Sequence, residues 1–281
     1  DLRRILRPLG VVAVFAASNF PFAFSVLGND TASALAAGCP VVVKAHPGHP
    51  ALSRRVADIA RAALVEADGP ADALVLVEGL DAGRTLVCHP LVRSVGFTGS
   101  TRGGRALFDL ACERPDPIPF YGELGSVNPV VVTPAALAEH GAELAAGLAA
   151  SFTRDGGQYC TKPGLVFVPG DGAEAFEQAL TTAVASTPGQ RLLTAGIAEA
   201  FAASGSVLTA RDDVAVPAVA DRSEDGTTPI VAATTASAFA KDPGAFQEEH
   251  FGPLTLLVRY RDVAELERAL SLLEGSLTGT L

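Results

Sequence analysis

Residues Val11–Phe15 have the sequence VVAVF, and the segment Ala17–Pro21 that follows them has the sequence ASNFP. An uninterrupted apolar run of this length is typical of a strand that is buried on both faces of a parallel sheet. The polar side chain of Asn19 comes soon after it, at the strand end where open α/β sheets bind their ligands. An asparagine that only caps a loop would give the same pattern. The stretch therefore predicts an α/β fold and offers Asn19 as a candidate ligand-binding residue.

Strands and helices alternate along the residues that follow. Short apolar runs predict strands at 41–44, 74–77 and 92–97, and helical spacing predicts helices at 30–37 and 50–66. The expected buried face of the helix at 50–66 consists of Leu52, Val56, Ile59, Ala63 and Leu64. Such alternation is typical of a parallel sheet covered by helices, and it supports the α/β assignment.

The second half of the chain continues the pattern, with one irregular region. The sequence predicts a helix at 134–150, a strand at 165–168 and a helix that is capped by Asp262 and ends at about Glu274. Residues 187–241 lack a regular period and are expected to form short strands and turns. The last residues resemble the start of a further strand, so we expect parts of a longer protein to be missing at both ends.

Composition indicates a soluble globular protein. The chain has 281 residues, of which 48% are hydrophobic and 19% charged, and this length suggests about two domains. Its formal charge of −10, from 21 basic and 31 acidic residues, argues against binding to nucleic acids or to anionic membranes. No apolar run of about 18 residues predicts a membrane span, and the start lacks a signal-peptide pattern. The protein is therefore expected to be cytoplasmic.

Four cysteines are spread along the chain with no pair or cluster at zinc-binding spacing, which predicts no metal site and a reducing compartment. One of them, Cys160, lies in the segment 156–164, which reads GGQYCTKPG. Glycines allow close approach of the backbone, and tight turns can direct N–H groups toward one point, as a reactive thiolate requires. A buried structural cysteine is the alternative interpretation.

Two glycine-containing turns between strands and helices suggest a dinucleotide site. Gly79 and Gly83 form a GxxxG pattern at the start of one helix, and residues 98–104 contain a second turn of this kind. The amide groups at a helix N-terminus can bind a pyrophosphate, although neither turn has the usual GxGxxG pattern. The segment 170–175, GDGAEA, fits GxGxxA better, but its two carboxylates would repel a pyrophosphate.

Together, these motifs resemble those of the aldehyde dehydrogenase superfamily over essentially the whole chain. The matching stretches, in chain order, are Ser18–Pro21 (SNFP), Lys44, the Gly79/Gly83 turn, Phe97–Ser100 (FTGS), Glu123–Gly125 (ELG), Gly157–Cys160 (GQYC) and Glu249–Pro253 (EHFGP). The variants at 44–47 and 123–129 look most like the branch that acts on 2-oxoglutarate semialdehyde. These variants also resemble those of related fatty aldehyde dehydrogenases that use NADP.

The resemblance implies a catalytic role for three residues. Cys160 would attack the aldehyde carbon to form a thiohemiacetal, and Asn19 with the backbone N–H of Cys160 would bind the oxyanion. After hydride transfer leaves a thioester, Glu123 would activate the water that hydrolyses it. The other three cysteines match no catalytic position and are expected in the core: Cys39, Cys88 and Cys112.

The resemblance also implies an NAD(P) site, with NADP preferred over NAD. NAD-preferring relatives carry a glutamate three residues after the motif lysine, where Pro47 stands here, so a 2′-phosphate would meet no carboxylate there. Ser18 stands where the family often has a tryptophan, so the pyrophosphate contact would be remade, and Val127 replaces a lysine without expected consequence. Glu249 would bind the hydroxyls of the nicotinamide ribose. The residues expected at the cofactor are Ser18, Lys44, His46, Gly83, Arg84, Thr98, Gly99, Ser100, Leu124, Glu249 and Phe251.

The implied architecture is a Rossmann-like cofactor domain at 8–126 and an α/β catalytic domain at 127–281, with residues 1–7 as the end of an oligomerisation strand. The expected protein is a homodimer or homotetramer that binds a small aldehyde and has no nucleic-acid, membrane or metal partner. Two other functions stay open. An acylating enzyme would use coenzyme A and typically lacks the base at Glu123. A catalytically silent scaffold would not need the catalytic residues that this chain has.

Overall fold

Buried parallel strands and the helices between them form two separate sheets. A computed structural model describes residues 2–3, 5–220 and 226–281, and the chain divides into two units, residues 1–125 and 126–281. We call them the N-terminal unit and the C-terminal unit. The predicted α/β fold class is confirmed. The cofactor-binding and catalytic roles assigned to the two halves stay predictions, as does an oligomerisation strand at 1–7, since the described residues there have no regular structure.

Five parallel strands form the sheet of the N-terminal unit. They are β1 (Val11–Phe15), β2 (Val41–Lys44), β3 (Leu74–Val77), β4 (Val92–Thr98) and β5 (Phe120–Glu123). The helices are α1 (Asn29–Ala36), α2 (Pro50–Glu66), α3 (Leu80–Cys88) and α4 (Thr101–Cys112). The strand order β3-β2-β1-β4-β5 reverses between β1 and β4, and such a switch point opens a crevice at the carboxyl ends of the strands.

The apolar run of β1 is explained by burial on both faces of this sheet. Val12 and Val14 belong to a core cluster with residues of β2 and α2, whereas Ala13 and Phe15 belong to a second cluster with residues of α3 and α4. Successive side chains of a strand point to opposite faces, so a strand between two helix layers needs apolar residues at every position. The strand that the sequence predicted at this position is confirmed.

The buried face of α2 agrees with the predicted one in part. Val56 and Leu64 are partly buried against the core cluster, but Ile59 is 52% exposed, and the fully buried residues are Ser53, Ala57 and Ala60. Small side chains allow the helix to lie close to the sheet, and the hydroxyl of Ser53 is satisfied because it donates a hydrogen bond to the carbonyl of His49. The size of the side chains at the contact therefore decided which positions of this helix lie closest to the sheet.

The C-terminal unit contains a mixed five-stranded sheet. Its strands are β6 (Val130–Val131), β7 (Leu165–Pro169), β8 (Ala215–Val219), β9 (Ile230–Thr235) and β10 (Leu254–Tyr260). Their order is β6-β7-β10-β9-β8, and β8 alone among these strands pairs antiparallel to its neighbour. The helices are α5 (Pro134–Thr153), α6 (Glu174–Ala185), α7 (Ala195–Thr209), α8 (Ala236–Phe239), α9 (Pro243–Phe246) and α10 (Val263–Leu270).

Two secondary-structure predictions for this unit are wrong in part. Residues 187–241 contain the 15-residue helix α7, whose buried positions are Phe201, Gly205 and Leu208. Most of the other residues of this helix are alanine, serine or glycine, so its sequence shows no clear alternation of apolar and polar faces. Residues 221–225, within the same prediction, lie outside the described residues. Asp262 caps α10 as predicted, since its Oδ1 accepts the N–H of Glu265 at 2.8 Å, but the helix ends four residues before the predicted end.

The expected burial of three cysteines holds for Cys39 only. Cys88 and Cys112 are exposed, because each is the last residue of its helix, α3 or α4, where the chain turns toward solvent. Among the residues that the structure describes, no helix is both long and apolar enough to cross a membrane. Within those same residues, no group of three or more histidine, cysteine or carboxylate side chains is arranged to hold a metal ion.

We predict that Tyr260→Phe destabilises the C-terminal unit. Tyr260 is 3% exposed, and its hydroxyl donates a 2.7 Å hydrogen bond to the carbonyl of Val132. The variant leaves that carbonyl without this donor, so the free energy of unfolding should fall by about 1–2 kcal/mol. Urea denaturation followed by far-ultraviolet circular dichroism measures the change. Tyr121→Phe is the control, because Tyr121 is 63% exposed, and an equal loss in both variants would contradict the prediction.

Candidate active site

Several predicted site residues lie at one edge of the N-terminal sheet. Asn19 follows β1, Lys44 ends β2, Thr98 ends β4 and Glu123 ends β5. Because all five strands are parallel, their carboxyl ends meet at the same edge. The sequence-based expectation of a ligand site at this edge agrees with the position of the switch point between β1 and β4.

The loop that carries Asn19 is held by a histidine that the sequence analysis did not identify. His49 Nε2–H donates to the carbonyl of Ala17 at 3.0 Å, and its Nδ1 is hydrogen-bonded to Ser53 Oγ at 3.1 Å. The N–H of Ala17 also donates to the carbonyl of Phe24 at 2.8 Å, which closes the loop. His49 precedes a helix-starting proline, a position that carries no ligand signature in the sequence.

A cleft between α3 and α4 brings together Lys44, Gly83 and Arg84, and it encloses about 480 Å³. A Cβ on Gly83 would lie 3.1 Å from the ring of Phe15 and within 4 Å of the Lys44 stem, so the glycine keeps the lysine accessible to the cleft. Burial lowers the pKa of Lys44. We call this space the α3–α4 cleft. Its open end, its apolar wall and its lysine fit an adenosine with attached phosphates.

His46, predicted at the cofactor, is neutral at pH 7. Burial lowers the pKa of His46 to about 4, and the nearby charges of His49 and Lys44 act in the same direction. The Nδ1 atom of His46 accepts the N–H of Gly48 at 3.0 Å, which occupies one of its two ring nitrogens. His46 therefore offers a neutral imidazole, and no cation, to a phosphate.

Backbone pairing fixes Glu123 and the turn after β4 against each other. Glu123 lies opposite Thr98 in the sheet, and its carbonyl accepts the N–H of Gly99 at 3.0 Å. The hydroxyl of Ser100 caps α4 by accepting the N–H of Gly103 at 3.2 Å. Leu124 packs against Gly104 of α4, where a Cβ would overlap its side chain. These contacts group five of the predicted residues: Thr98, Gly99, Ser100, Glu123 and Leu124.

The predicted site residues of the C-terminal unit lie at the amino ends of its strands, whereas those of the N-terminal unit lie at the carboxyl ends. The segments Ser126–Asn128, Tyr159–Pro163 and Glu249–Pro253 each lead into a strand, namely β6, β7 and β10. These three strands are parallel neighbours, so their amino ends lie side by side. The sheet thus gathers three of the sequence motifs along one edge.

Cys160 is the second residue of a tight turn, closed by the N–H of Lys162 and the carbonyl of Tyr159 at 3.1 Å. The three residues Asp155, Gly156 and Gly157 before it are left-handed, with φ of 49°, 68° and 69°. A Cβ on Gly157 would overlap the carbonyl oxygen of Gly252, so the two backbones approach closely. The thiol is half-buried, which fits a reactive cysteine better than the alternative of a fully buried structural one.

A buried lysine lies next to Glu249. Lys162 donates from Nζ to the carbonyl of Leu254 at 2.7 Å, and burial lowers its pKa to about 8 against the opposing effect of Glu249. Burial raises the pKa of Glu249, while Lys162 and the N–H of Ser126 lower it. His250 is hydrogen-bonded through Nδ1 to Ser204 Oγ at 2.9 Å, and burial lowers its pKa to about 4. Lys162, Glu249 and His250 line one small cavity of about 10 Å³.

The profile of the Aldehyde dehydrogenase family matches residues 3–279. The chain belongs to the aldehyde dehydrogenase family. The resemblance seen in the sequence motifs is thereby confirmed for the family as a whole.

Two curated members of the family match the chain over its full length. It is 46% identical over 286 residues to alpha-ketoglutaric semialdehyde dehydrogenase 2 of Azospirillum brasilense. It is 40% identical over 286 residues to alpha-ketoglutaric semialdehyde dehydrogenase of Acinetobacter baylyi. Each alignment covers 100% of this chain and 54% of the relative, so the chain spans about half the length of the curated relatives it matches.

A solved structure of the family has the same fold. The gamma-glutamyl-gamma-aminobutyraldehyde dehydrogenase from Burkholderia cenocepacia J2315 superposes with a TM-score of 0.74 at 25% sequence identity. The superposition covers 96% of this chain and 54% of that one.

Within each unit of this aldehyde dehydrogenase family member, the structure groups the predicted residues and adds three others. His49, Asn128 and Lys162 escaped the sequence analysis as individual residues. The signal that Asn128 carried is its residue type, since asparagine adopts a positive φ more often than most residues, and its φ is 48°. Lys162 carried none, because its burial depends on strands that are distant in sequence.

We predict that Gly157→Ala strongly destabilises the C-terminal unit. The alanine would hold a left-handed φ and meet the backbone of Gly252, which should lower the free energy of unfolding by about 2–4 kcal/mol. Gly147→Ala is the matched control, because Gly147 is an exposed position of α5 with open space around its α-carbon. That variant should gain about 0.5–1 kcal/mol. Urea denaturation measures both, and a loss of the same size in both variants would refute the clash.

Proposed function

We propose that the protein oxidises an aldehyde to a carboxylic acid with NAD(P) as hydride acceptor. The observation that carries this proposal is the position of Cys160, half-buried on a tight turn that glycines hold against a second family motif. Family membership and the names of the two curated relatives support it. The acylating alternative is less favoured, because the base that hydrolysis requires is present at Glu123.

Cys160 is the proposed nucleophile. Its thiolate adds to the aldehyde carbon and forms a carbon–sulfur bond, which turns the carbonyl oxygen into an oxyanion. The side-chain amide of Asn19 and the N–H of Cys160 donate hydrogen bonds to that oxyanion. Loss of one such donor lowers the rate of comparable enzymes by an amount that corresponds to about 3–4 kcal/mol. When bound, the nicotinamide supplies the hydride acceptor that converts the thiohemiacetal into a thioester.

Glu123 is the proposed general base for the second half of the reaction. Its carboxylate takes a proton from a water molecule, which attacks the thioester carbon and releases the carboxylic acid and the Cys160 thiolate. The backbone of Glu123 is fixed by pairing with β4, while its side chain stays half-buried at the strand end. A base at this position therefore has a backbone held by the sheet and a side chain that solvent partly reaches.

The cofactor is proposed to bind at the carboxyl edge of the N-terminal sheet, with NADP preferred over NAD. Lys44 and Arg84 are the cations of the α3–α4 cleft, which Asp109 and Glu113 also line. The carboxylate after β3, Glu78, is bound by Arg54 at 2.8 and 2.9 Å, which offsets its charge next to the end of β2. Pro47 supplies no carboxylate, so the repulsion of a 2′-phosphate that a glutamate would cause is absent from that position.

The proposed substrate is 2-oxoglutarate semialdehyde, an aldehyde that also has a carboxylate group. This choice rests on the names of the two relatives at 46% and 40% identity. In keeping with the family resemblance, we propose a homodimer or homotetramer in the cytoplasm. Size-exclusion chromatography with light scattering measures that assembly state.

The test of the function is an absorbance assay at 340 nm with 2-oxoglutarate semialdehyde and with a long-chain aldehyde, each with NADP and NAD. The proposal expects the highest kcat/KM with the semialdehyde and NADP, and no turnover in Cys160→Ser. Cys88→Ala and Cys112→Ala are the controls, because both thiols are exposed helix ends. A higher kcat/KM with the long-chain aldehyde would favour a fatty aldehyde dehydrogenase, and activity in Cys160→Ser would refute the mechanism.

Glu123→Gln separates hydride transfer from hydrolysis. The variant should still form the thioester and release a burst of reduced cofactor, because these steps do not need the base. Steady turnover should then fall by about 10²–10⁴-fold. Stopped-flow absorbance at 340 nm with mass spectrometry of the quenched acyl-enzyme measures both phases. Glu66→Gln, at the exposed end of α2, is the control, and normal steady turnover in Glu123→Gln would exclude Glu123 as the base.

A further inference from the structure

Asn128 is a buried asparagine at the amino end of β6 that the proposed reaction does not use directly. It is 2% exposed and its backbone is left-handed, with φ of 48°. Asparagine is among the few residues other than glycine that adopt this conformation readily. A polar side chain in such a place needs hydrogen-bond partners, and the partners of Asn128 identify what it does.

The amide group of Asn128 holds the backbone of the Cys160 turn. Its Nδ2 donates to the carbonyl of Cys160 at 2.7 Å and to the carbonyl of Lys162 at 2.9 Å. Both hydrogens of the amide are therefore used on two carbonyls of the same turn. The Lys162 side chain adds a further anchor, since its Nζ donates to the carbonyl of Leu254.

The oxygen of the Asn128 amide also has hydrogen-bond partners. Asn128 Oδ1 accepts from Ser126 Oγ at 2.7 Å and from the N–H of Thr278 at 3.2 Å. The oxygen of Ser126 in turn accepts the N–H of Leu277 at 2.9 Å. These donors fix the direction of the amide, because the reversed orientation would place its oxygen against two carbonyl oxygens.

The hydrogen bonds to the carbonyls of Cys160 and Lys162 hold the backbone from which the Cys160 side chain extends. Fixing the carbonyl of Cys160 fixes its ψ, and with it the direction in which the side chain leaves the backbone. An unpartnered carbonyl dipole next to the sulfur would also disfavour the thiolate, because low local dielectric strengthens such interactions. The hydrogen bonds from Nδ2 draw both carbonyl oxygens toward one point and hold them there.

We propose that Asn128 is a positioning residue for Cys160, whose side-chain amide keeps the turn in the orientation that the thiolate needs for attack. The assignment rests on the proposed function, in which Cys160 is the nucleophile. Gly keeps the left-handed backbone conformation and removes both donors without changing the charge, whereas Asp also removes both donors but adds a negative charge that by itself disfavours a nearby thiolate. Asn128→Gly therefore tests the hydrogen bonds apart from the backbone conformation and the charge.

The experiment measures alkylation of Cys160 by iodoacetamide between pH 6 and 10, with peptide mass spectrometry to separate it from the other three thiols. Asn128→Gly should raise the pKa of the alkylated thiol by about one unit, which lowers the rate at pH 7 about tenfold, and Asn128→Asp should raise it further because of its added negative charge. The neighbouring charged residues of the C-terminal unit stay in place in both variants: Arg154, Asp155, Lys162 and Glu249.

Tyr260→Phe is the matched control, because it removes a buried hydrogen bond from the same unit without touching the turn. It should leave the alkylation profile unchanged at a similar loss of stability, with circular dichroism confirming the folded state of each variant. Ser126→Ala removes one donor to Oδ1 and should shift the profile in the same direction by less.

Wild-type alkylation profiles in folded Asn128 variants would overturn the proposal, and so would an equal shift in Tyr260→Phe. If neither Asn128 variant folds, an unchanged profile in Ser126→Ala overturns it. Alkylation needs no aldehyde or cofactor, so this result stands apart from the assay of dehydrogenase activity. An inactive wild-type protein with shifted profiles in the variants would refute the proposed function and leave the role of Asn128 intact.

Discussion

The candidate site of the C-terminal unit depends on the close approach of two backbone segments. Gly157 faces the carbonyl of Gly252, and Gly252 in turn faces the ring of Phe201 on α7. A side chain at either glycine would push apart the Cys160 turn and the segment that carries Glu249. Steric exclusion at two α-carbons thus explains why glycines flank both motifs. It also explains why α7, which the sequence analysis missed, matters to the site.

The two sheets use opposite ends of their strands. In the N-terminal unit, the candidate residues follow β1, β2, β4 and β5, as expected for an open parallel sheet with a switch point. In the C-terminal unit, the motifs precede β6, β7 and β10, and so they lie at the amino ends. The carboxyl-end rule therefore describes the cofactor half of the proposed mechanism, whereas the nucleophile is held by hydrogen bonds and glycine contacts between loops.

Burial sets the electrostatics of both units. Lys44 and Lys162 both have pKa values below the usual range because they are removed from water, and Glu249 has a raised one for the same reason. Lys162 and Glu249 partly offset these effects, because each favours the charged form of the other. The pKa of Lys162, about 8, lies within the pH range of the alkylation experiment. Because the wild-type protein contains the same lysine, a change in Cys160 reactivity is measured against the wild-type alkylation profile.

The sequence by itself determined the fold class, most strand positions and the family. Strands buried on both faces need apolar residues at every position, as in β1. The family motifs are short local patterns, so they can be recognised without knowing the fold. The same locality made the Cys160 segment and the glycine turns recognisable before any contact was known.

Only the tertiary structure decided which residues of α2 are fully buried, that Cys88 and Cys112 are exposed, and which side chains hold the motifs in place. His49, Asn128 and Lys162 act on carbonyls that belong to other segments, at Ala17, Cys160 and Leu254. Hydrogen bonds between distant segments leave no period or spacing in the sequence. A helix face likewise depends on the size of the side chains that meet the sheet, as the small residues Ser53, Ala57 and Ala60 show.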